Sequence, residues 1–390
     1  MKRIESTPRP DWRKKIESQG LIYSTAIRED GSLCEYWHEG AYYEFTMPEV
    51  EMLESVTEEL HTMCIEAARY LATGAMGTIG IGTEALALAS WSLERSEPAV
   101  YGRFDLAYDG VNPPKMLEYN ADTPTGLIEA SIAQWFWLQD VKPESDQWNG
   151  IHEALINAWR KRLEASGTTR LHVAHAEVEA SGEDWMTAAY MLDVARQGGW
   201  TVEGINMSDI GWDPVRKMFV DLDGESIDNI FKLYPWEMMI KEEFGDNILD
   251  FPTAANWFEP AWKMLLSNKA LLAALWHLYP NHPNLLPAYM ETPRDMTQWV
   301  AKPLHGREGD NIIIHADGID ISQSGDYGTE GWCYQEYFPL PDFDGNKPVL
   351  GTWVVDGESV GVGIRESDGP VTDYYCRFVP NVIDAPAPEN

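Results

Sequence analysis

The sequence predicts a mixed α/β protein, and three stretches carry that reading. Residues 101–120 alternate apolar and polar side chains on either side of a turn-rich DGVNPP, the pattern of a β-hairpin. Between 171 and 205 a short apolar run, an amphipathic segment ended by Gly198-Gly199 and a second apolar run follow in turn. That rhythm implies a parallel β–α–β unit. The last third is strand-rich, with candidates at 299–304, 311–315, 318–321, 333–338, 349–355 and 359–364.

Taken in order, residues 1–45 read as irregular, with short strands at 33–37 and 42–45. Thr46-Met47-Pro48-Glu49 is a capping box with proline in the first turn. The helix it opens carries Val50, Leu53, Val56, Leu60, Cys64, Ala67 and Leu71 on one stripe and stops near Gly74. Gly77-Thr78-Ile79-Gly80-Ile81-Gly82 has the glycine content of a phosphate loop, but it follows a helix where a dinucleotide fingerprint needs a strand. It reads as a flexible connector. After the hairpin, Thr123-Pro124-Thr125-Gly126 opens an apolar-periodic helix at 127–139. A helix at 148–166, a strand at 171–176, a helix at 183–196 and a strand at 201–205 follow, then a second hairpin of 218–221 with 227–233 about Asp223-Gly224. Residues 261–279 read as one helix running up to Pro280, with Lys269 inside it. Asp342-Phe343-Asp344-Gly345 is a hairpin turn rather than a calcium loop, since Trp353 stands where such a loop needs Glu. The tail from Asp384 is expected to fray.

The totals exclude several classes. At 390 residues the chain can bury a large core in two or three lobes. A net charge of −34 argues against nucleic acid as partner and would attract a polycationic small molecule such as a polyamine, although a solvated acidic surface accounts for the charge equally well. Cys34, Cys64, Cys333 and Cys376 lie far apart without metal spacing, as expected of reduced thiols. No signal-peptide core and no run of about 18 apolar residues is present, so a soluble, cytoplasmic protein without a membrane partner is expected. His172 and His175, and His277 and His282, lack a third ligand at metal spacing, and the 17 tryptophans read mainly as core. No Walker loop or nucleophile elbow occurs.

Chemistry concentrates at the hairpin. If its register centres on the turn, Arg103 faces Asn120 and Asp105 faces Glu118 on one sheet face. Opposed carboxylates destabilise a sheet unless a cation lies between them, and two carboxylates with an amide oxygen suit Mg²⁺. The helix start after Thr125 adds an anion site beside it. Lys302, in a strand next to the glycine-bounded loop His305–Asn311, can neutralise nucleotide phosphates under a lid. Lys269 either snorkels or meets an anion. The strand CYQEYF could present backbone groups to an adenine edge, and Arg365 is a second candidate anion holder, with a surface salt bridge as the alternative. Two other readings stay open: a glycoside hydrolase using Asp105 and Glu118 as acid and base, and a nucleotide- or polyamine-binding protein without catalysis.

The blocks YGRFDLAYDG…KMLEYNADTPT, FKLYPWE, WFEPAWKMLLSNKALLAALWHLYPNHPNLLPAY, AKPLHGREGDNI and GVGIRE, in that order over roughly 8–380, resemble the glutathionylspermidine synthase family, in its stand-alone synthetase form. The resemblance implies an ATP-grasp-like fold with mixed sheets, a β–α–β substrate lobe and a strand-rich C-terminal nucleotide and lid lobe. Sub-lobes would fall at about 1–100, 101–260, 261–345 and 346–390. It implies an ATP- and Mg²⁺-dependent ligase, using two Mg²⁺ ions, that joins the carboxylate of a glutathione-like peptide to an amine such as a polyamine through an acyl phosphate. By position, Arg103 would be catalytic, and Asp105, Glu118 and Asn120 would hold Mg²⁺. Lys269, Lys302, Arg307 and Gly309 would bind ATP, with Gln335, Glu336, Tyr337 and Phe338 at the adenine hinge. Thr123, Thr125, Glu183, Asp184 and Arg365 would bind substrate. Met238 replaces a threonine that the bifunctional members use, so the acid partner is where this chain departs from the pattern.

Overall fold

In the computed structural model, which describes residues 1–28, 31–176 and 182–384, the alternation at 101–120 becomes an antiparallel hairpin of Tyr101–Ala107 and Lys115–Asn120. Arg103 pairs with Asn120 and Asp105 with Glu118, as the turn-centred register requires. A bulge after Asp105 slips the turn side by one residue and leaves these two pairs in place. The hairpin forms one edge of a five-stranded antiparallel sheet. Beyond it come Lys347–Val355, Glu358–Ser367 and Arg377–Val379. Chain far along in sequence therefore closes on residues 101–107. Gly351 lies opposite Asp105, and a Cβ there would sit 2.9 Å from Arg103 Cδ, so the missing side chain makes room for the arginine.

A second antiparallel sheet has the order Ala288–Met290, Trp332–Glu336, Trp299–Pro303, Ile313–Ala316, Ile319–Ser322. A third is wholly parallel: Asn256–Phe258, Asn229–Leu233, Arg170–His175, Thr201–Asn206. Helix Glu183–Gln197 makes its crossover, as the β–α–β rhythm predicts. The second hairpin needs correction. The turn at Asp223-Gly224 is real, with Ile227 N–H donating to the Phe219 carbonyl at 2.9 Å. Met218–Val220, however, pairs with Gly211–Asp213, and Asn229–Leu233 leaves for the parallel sheet. All five residues of that strand are buried, as a central parallel strand demands.

Thr46 caps helix Met47–Ala72, its N–H donating to the Glu49 carboxylate at 2.8 Å. The predicted stripe is buried apart from half-buried Val56, each leucine contributing about 1.5–3 kcal/mol. It packs on Ala270–Leu278 and on the central sheet. A helix at Thr83–Glu94 escapes the sequence reading because its apolar residues run almost continuously and blur the helical period. Residues 1–45 are more regular than expected, with a strand at Lys2–Glu5 and a helix at Trp12–Ser18. Lys2–Glu5 joins Ala41–Phe45 and Asn381–Ile383 in a three-stranded sheet. Fully buried Glu366 accepts from Arg3 (2.7 Å), Tyr43 (2.7 Å) and Arg377 (3.0 Å), tying the early strands to the late ones.

The predicted helix at 261–279 is broken. A 3₁₀ turn, Ala261–Lys263, and a short helix, Met264–Ser267, end at Asn268, which is extended, before Ala270–Leu278 begins. The Asn268 side chain accepts from the Ala270 N–H at 2.9 Å and donates to the Ile79 carbonyl at 2.8 Å. Lys269 thus stands at a helix start, not inside a helix. The tail beyond Asp384 lies outside the described residues, among which no helix is long and apolar enough to cross a membrane.

Candidate active site

The two antiparallel sheets and the C-terminal end of the parallel one wall a single cleft, with the hairpin as its floor. Asp105 is buried under donors. Arg103 Nε reaches it at 2.8 Å and Nη2 at 3.3 Å, Arg365 Nη2 at 2.6 Å and Asn120 Nδ2 at 3.2 Å. Asn120 Nδ2 also donates to Glu118 at 2.9 Å, and Lys269 Nζ lies 3.0 Å from the other Glu118 oxygen. Burial works to raise the Glu118 carboxyl, yet Lys269, Lys302 and the Asn120 hydrogen bond overcome it and hold the group well below the usual carboxylate range. Burial likewise opposes the charge on Arg365, but Asp105 outweighs it and raises that guanidinium. Here protein cations balance the opposed carboxylates. The residues present fit Mg²⁺: two carboxylates and an amide on one face, hard oxygen ligands once the Asn120 oxygen is turned inward.

Arg103 is held at its other end by the Thr125 carbonyl, which accepts from Nη1 at 2.7 Å. That carbonyl precedes Gly126, at φ +85°, where a Cβ would lie 2.8 Å from Phe378 Cζ; glycine answers both demands. On the opposite wall Lys302 Nζ donates to the Leu117 carbonyl and to Gln335 Oε1, both at 2.8 Å. Burial, with Lys269 close by, lowers its ammonium to about 8 against the pull of Glu118. The glycine-bounded loop is folded over the cleft. Arg307 donates to Thr123 Oγ1 at 2.9 Å and to Glu237 at 3.3 Å. Burial disfavours the Glu237 carboxylate, but His305 and Arg307 bring its carboxyl down to about 2.

The floor is pinned from below by buried ions. Lys232 donates to Asp122 at 2.6 Å, whose other oxygen accepts the Trp236 N–H at 3.0 Å. Lys263 bridges the carbonyls of Tyr101 and Ala121 at 2.8 and 3.1 Å, and Glu259 accepts from the Val100 and Tyr101 N–H groups. Removing one partner of such a pair leaves a bare charge in the interior. Asp122→Ala is therefore expected to cost about 3–5 kcal/mol in a urea titration, and a cost below 1 kcal/mol would show the pair to be incidental.

The residues to which the family resemblance gives a site role line this one cleft: Arg103, Asp105, Glu118, Asn120, Thr123, Thr125, Glu183, Asp184, Lys269, Lys302, Arg307, Gly309, Gln335 to Phe338 and Arg365. Met238 lines it too. The hydrolase reading gave the lysines no role, whereas Lys269 is ion-paired to one of the two carboxylates it invoked. A larger cavity of about 660 Å³, against 270 Å³, lies elsewhere, walled by Trp91, Trp257, Trp262 and Tyr119. It holds none of these residues. Sequence reasoning gave no role to Tyr36 and Phe378, which line the cleft from separate segments with no local pattern, nor to Glu237, which ends the block FKLYPWE and holds Arg307. It also missed that His172 meets Asp221 at 3.3 Å and Glu203 at 4.0 Å, the one His/Cys/Asp/Glu trio of metal-binding size among the described residues. Arg170 already pairs with both carboxylates, at 2.6 and 2.7 Å, so a salt-bridged cluster accounts for it.

Comparison with known proteins gives one picture. A family model described as glutathionylspermidine synthase preATP-grasp matches residues 3–384. A Haemophilus influenzae protein with the provisional name acid–amine ligase is 42% identical over 395 residues, spanning 98% of this chain and 99% of that one. Trypanothione synthetase of Crithidia fasciculata is 30% identical over 316 residues, 74% of this chain. This chain matches about half of that relative, 48% of its length. Among solved structures, a glutathione synthetase-like effector from Globodera pallida in its apo form aligns with a TM-score of 0.57 over 96% of both chains. At 10% identity it supports an ATP-grasp-type fold alone.

Proposed function

The chain belongs to the glutathionylspermidine synthase preATP-grasp family, and we propose that it is an ATP- and Mg²⁺-dependent ligase joining the carboxylate of a glutathione-like peptide to an amine such as a polyamine. One observation carries the reading. Arg103, Asp105, Glu118 and Asn120 share a sheet face with Lys269 and Lys302 at its margin, where anionic phosphate and carboxylate groups can meet.

Mg²⁺ held by Asp105, Glu118 and Asn120 would neutralise ATP phosphates, two ions being the number the family resemblance implies. Lys269 and Lys302 would bind those phosphates, and the segment Gln335–Phe338 would meet the base. Arg103, gripped by Asp105 and the Thr125 carbonyl, steadies the substrate carboxylate for attack on the γ-phosphorus. An O–P bond forms, ADP departs and an acyl phosphate results. The amine nitrogen then attacks the acyl carbon; the C–N bond forms and the C–O bond to phosphate breaks. Arg307 and the loop around Gly309 keep water from that intermediate. Thr123, Thr125 and Arg365 would hold the peptide, and Glu183 and Asp184 the cationic amine. Arg365 is engaged by Asp105 at 2.6 Å, so it must exchange partners to reach an acid. Met238 offers a thioether where a hydroxyl would suit glutathione, which favours a peptide with an apolar group there.

The test is a panel of peptides against polyamines with Mg-ATP, read by mass spectrometry. A product equal to acid plus amine minus water, formed with stoichiometric ADP, is expected. ATP binding without product from any pair would instead support a silent nucleotide-binding protein.

A further inference from the structure

Glu129 is a buried carboxylate that these steps leave unused. It is 2% exposed and sits on a π-helical turn, Glu129–Ala133, that interrupts the helix following the hairpin. Such turns re-aim side chains and recur at functional sites. Glu129 Oε1 accepts a hydrogen bond of 2.6 Å from the Tyr36 hydroxyl. Tyr36 lines the cleft with Arg103, Glu183, Asp184 and Phe378. Its ring lies 4.6 Å from Tyr23 and 5.3 Å from Phe378, the ring that closes on Gly126 beside Arg103. One phenol therefore links the acid-holding end of the cleft to a carboxylate sealed behind it.

We propose that Tyr36 takes a proton from the incoming ammonium and that Glu129, acting through it, is the positioning residue that receives that proton. The inference rests on the ligase reading above. An alkyl amine is protonated at neutral pH and lacks the lone pair needed for attack. As an N–H proton moves to the Tyr36 oxygen, the phenolic proton moves to Glu129 Oε1. The ammonium becomes a neutral amine, the carboxylate becomes a carboxylic acid, and Tyr36 is a phenol before and after. The amine then attacks the acyl carbon, and its second proton leaves with the phosphate. Glu129 returns its proton through Tyr36 after product release.

The surroundings suit this role. Burial raises the Glu129 carboxyl, Glu183 raises it further, and the Tyr36 hydrogen bond and Arg103 pull it back, to about 7. Burial, Glu129, Glu183 and Tyr23 all hold Tyr36 as a phenol. Because the acceptor must be ionised, the rate with an alkyl amine should rise as pH climbs through about 7.

Hydroxylamine, a neutral nucleophile at that pH, needs no relay. Rates with hydroxylamine and with spermidine would be compared for Glu129→Gln and Tyr36→Phe, using the panel acid that gives most product. The spermidine rate should fall about 10²–10⁴-fold. The hydroxylamine-to-spermidine ratio should rise by a similar factor, and the limb near pH 7 should vanish from the spermidine profile. Equal losses with both nucleophiles in both variants would overturn the relay and leave the ligase reading standing. If the unmodified protein makes neither product with any acid, the ligase reading falls and the relay with it.

Discussion

Glu118→Gln should lower Mg-ATP-dependent amide formation by about 10³-fold while the protein stays folded by circular dichroism. The glutamine keeps the shape of the side chain and can still accept from Asn120, now at 2.9 Å from the carboxylate. What it removes is one of two negative charges facing the nucleotide. Charge stabilisation at a metal site is worth several kcal/mol, and 1.36 kcal/mol is tenfold in rate. Lys269, 3.0 Å away and itself buried, then lacks its anion, but the side chain at 118 is 27% exposed in the cleft, against 5% for Asp105, so water can reach the pair and the glutamine carbonyl can still accept from the lysine. Asp105→Ala would be a poorer test. Arg103 and Arg365 both lean on Asp105, and stripping it would leave the buried Arg103 and the half-buried Arg365 without their carboxylate. Loss of activity there would be mixed with loss of fold. Near-normal turnover of Glu118→Gln would refute the metal assignment.

Arg103→Lys is expected to cost about 10²–10³-fold in kcat, with little change in the KM for ATP. The arginine spans two anchors, with Nε and Nη2 on Asp105 and Nη1 on the Thr125 carbonyl. A single ammonium carries the charge but cannot make that fork. An interaction that strengthens as charge builds during phosphoryl transfer shows in kcat and kcat/KM together. Initial rates over an ATP series separate this from a mere binding defect, which would raise KM alone.

The hairpin was legible because its information is local. Alternation gives the face, the turn gives the register, and Arg103–Asn120 and Asp105–Glu118 follow. That Lys302 and the glycine-bounded loop belong together was legible for a similar reason, the glycines and the lysine lying within a few residues of one another, and both line the cleft. What escaped depends on partners distant in sequence. Asn268 breaks a good helical period because its amide can satisfy Ala270 and the Ile79 carbonyl at once, and Ile79 is 189 residues away. Asn229–Leu233 left its hairpin for parallel neighbours that no turn could announce. Tyr36 and Glu129 lie 93 residues apart, and a π-helical turn has no composition of its own. Lys232 and Asp122, 110 residues apart, carry no local sign of each other, yet together they rivet the floor of the site.

Oxygen-18 in the carboxylate of the peptide substrate follows the bond on which the chemistry turns. If that carboxylate attacks the γ-phosphate, each inorganic phosphate released during amide synthesis carries one labelled oxygen from the acid. Amide product accompanied by unlabelled phosphate would contradict activation through an acyl phosphate, and with it the role given to Arg103.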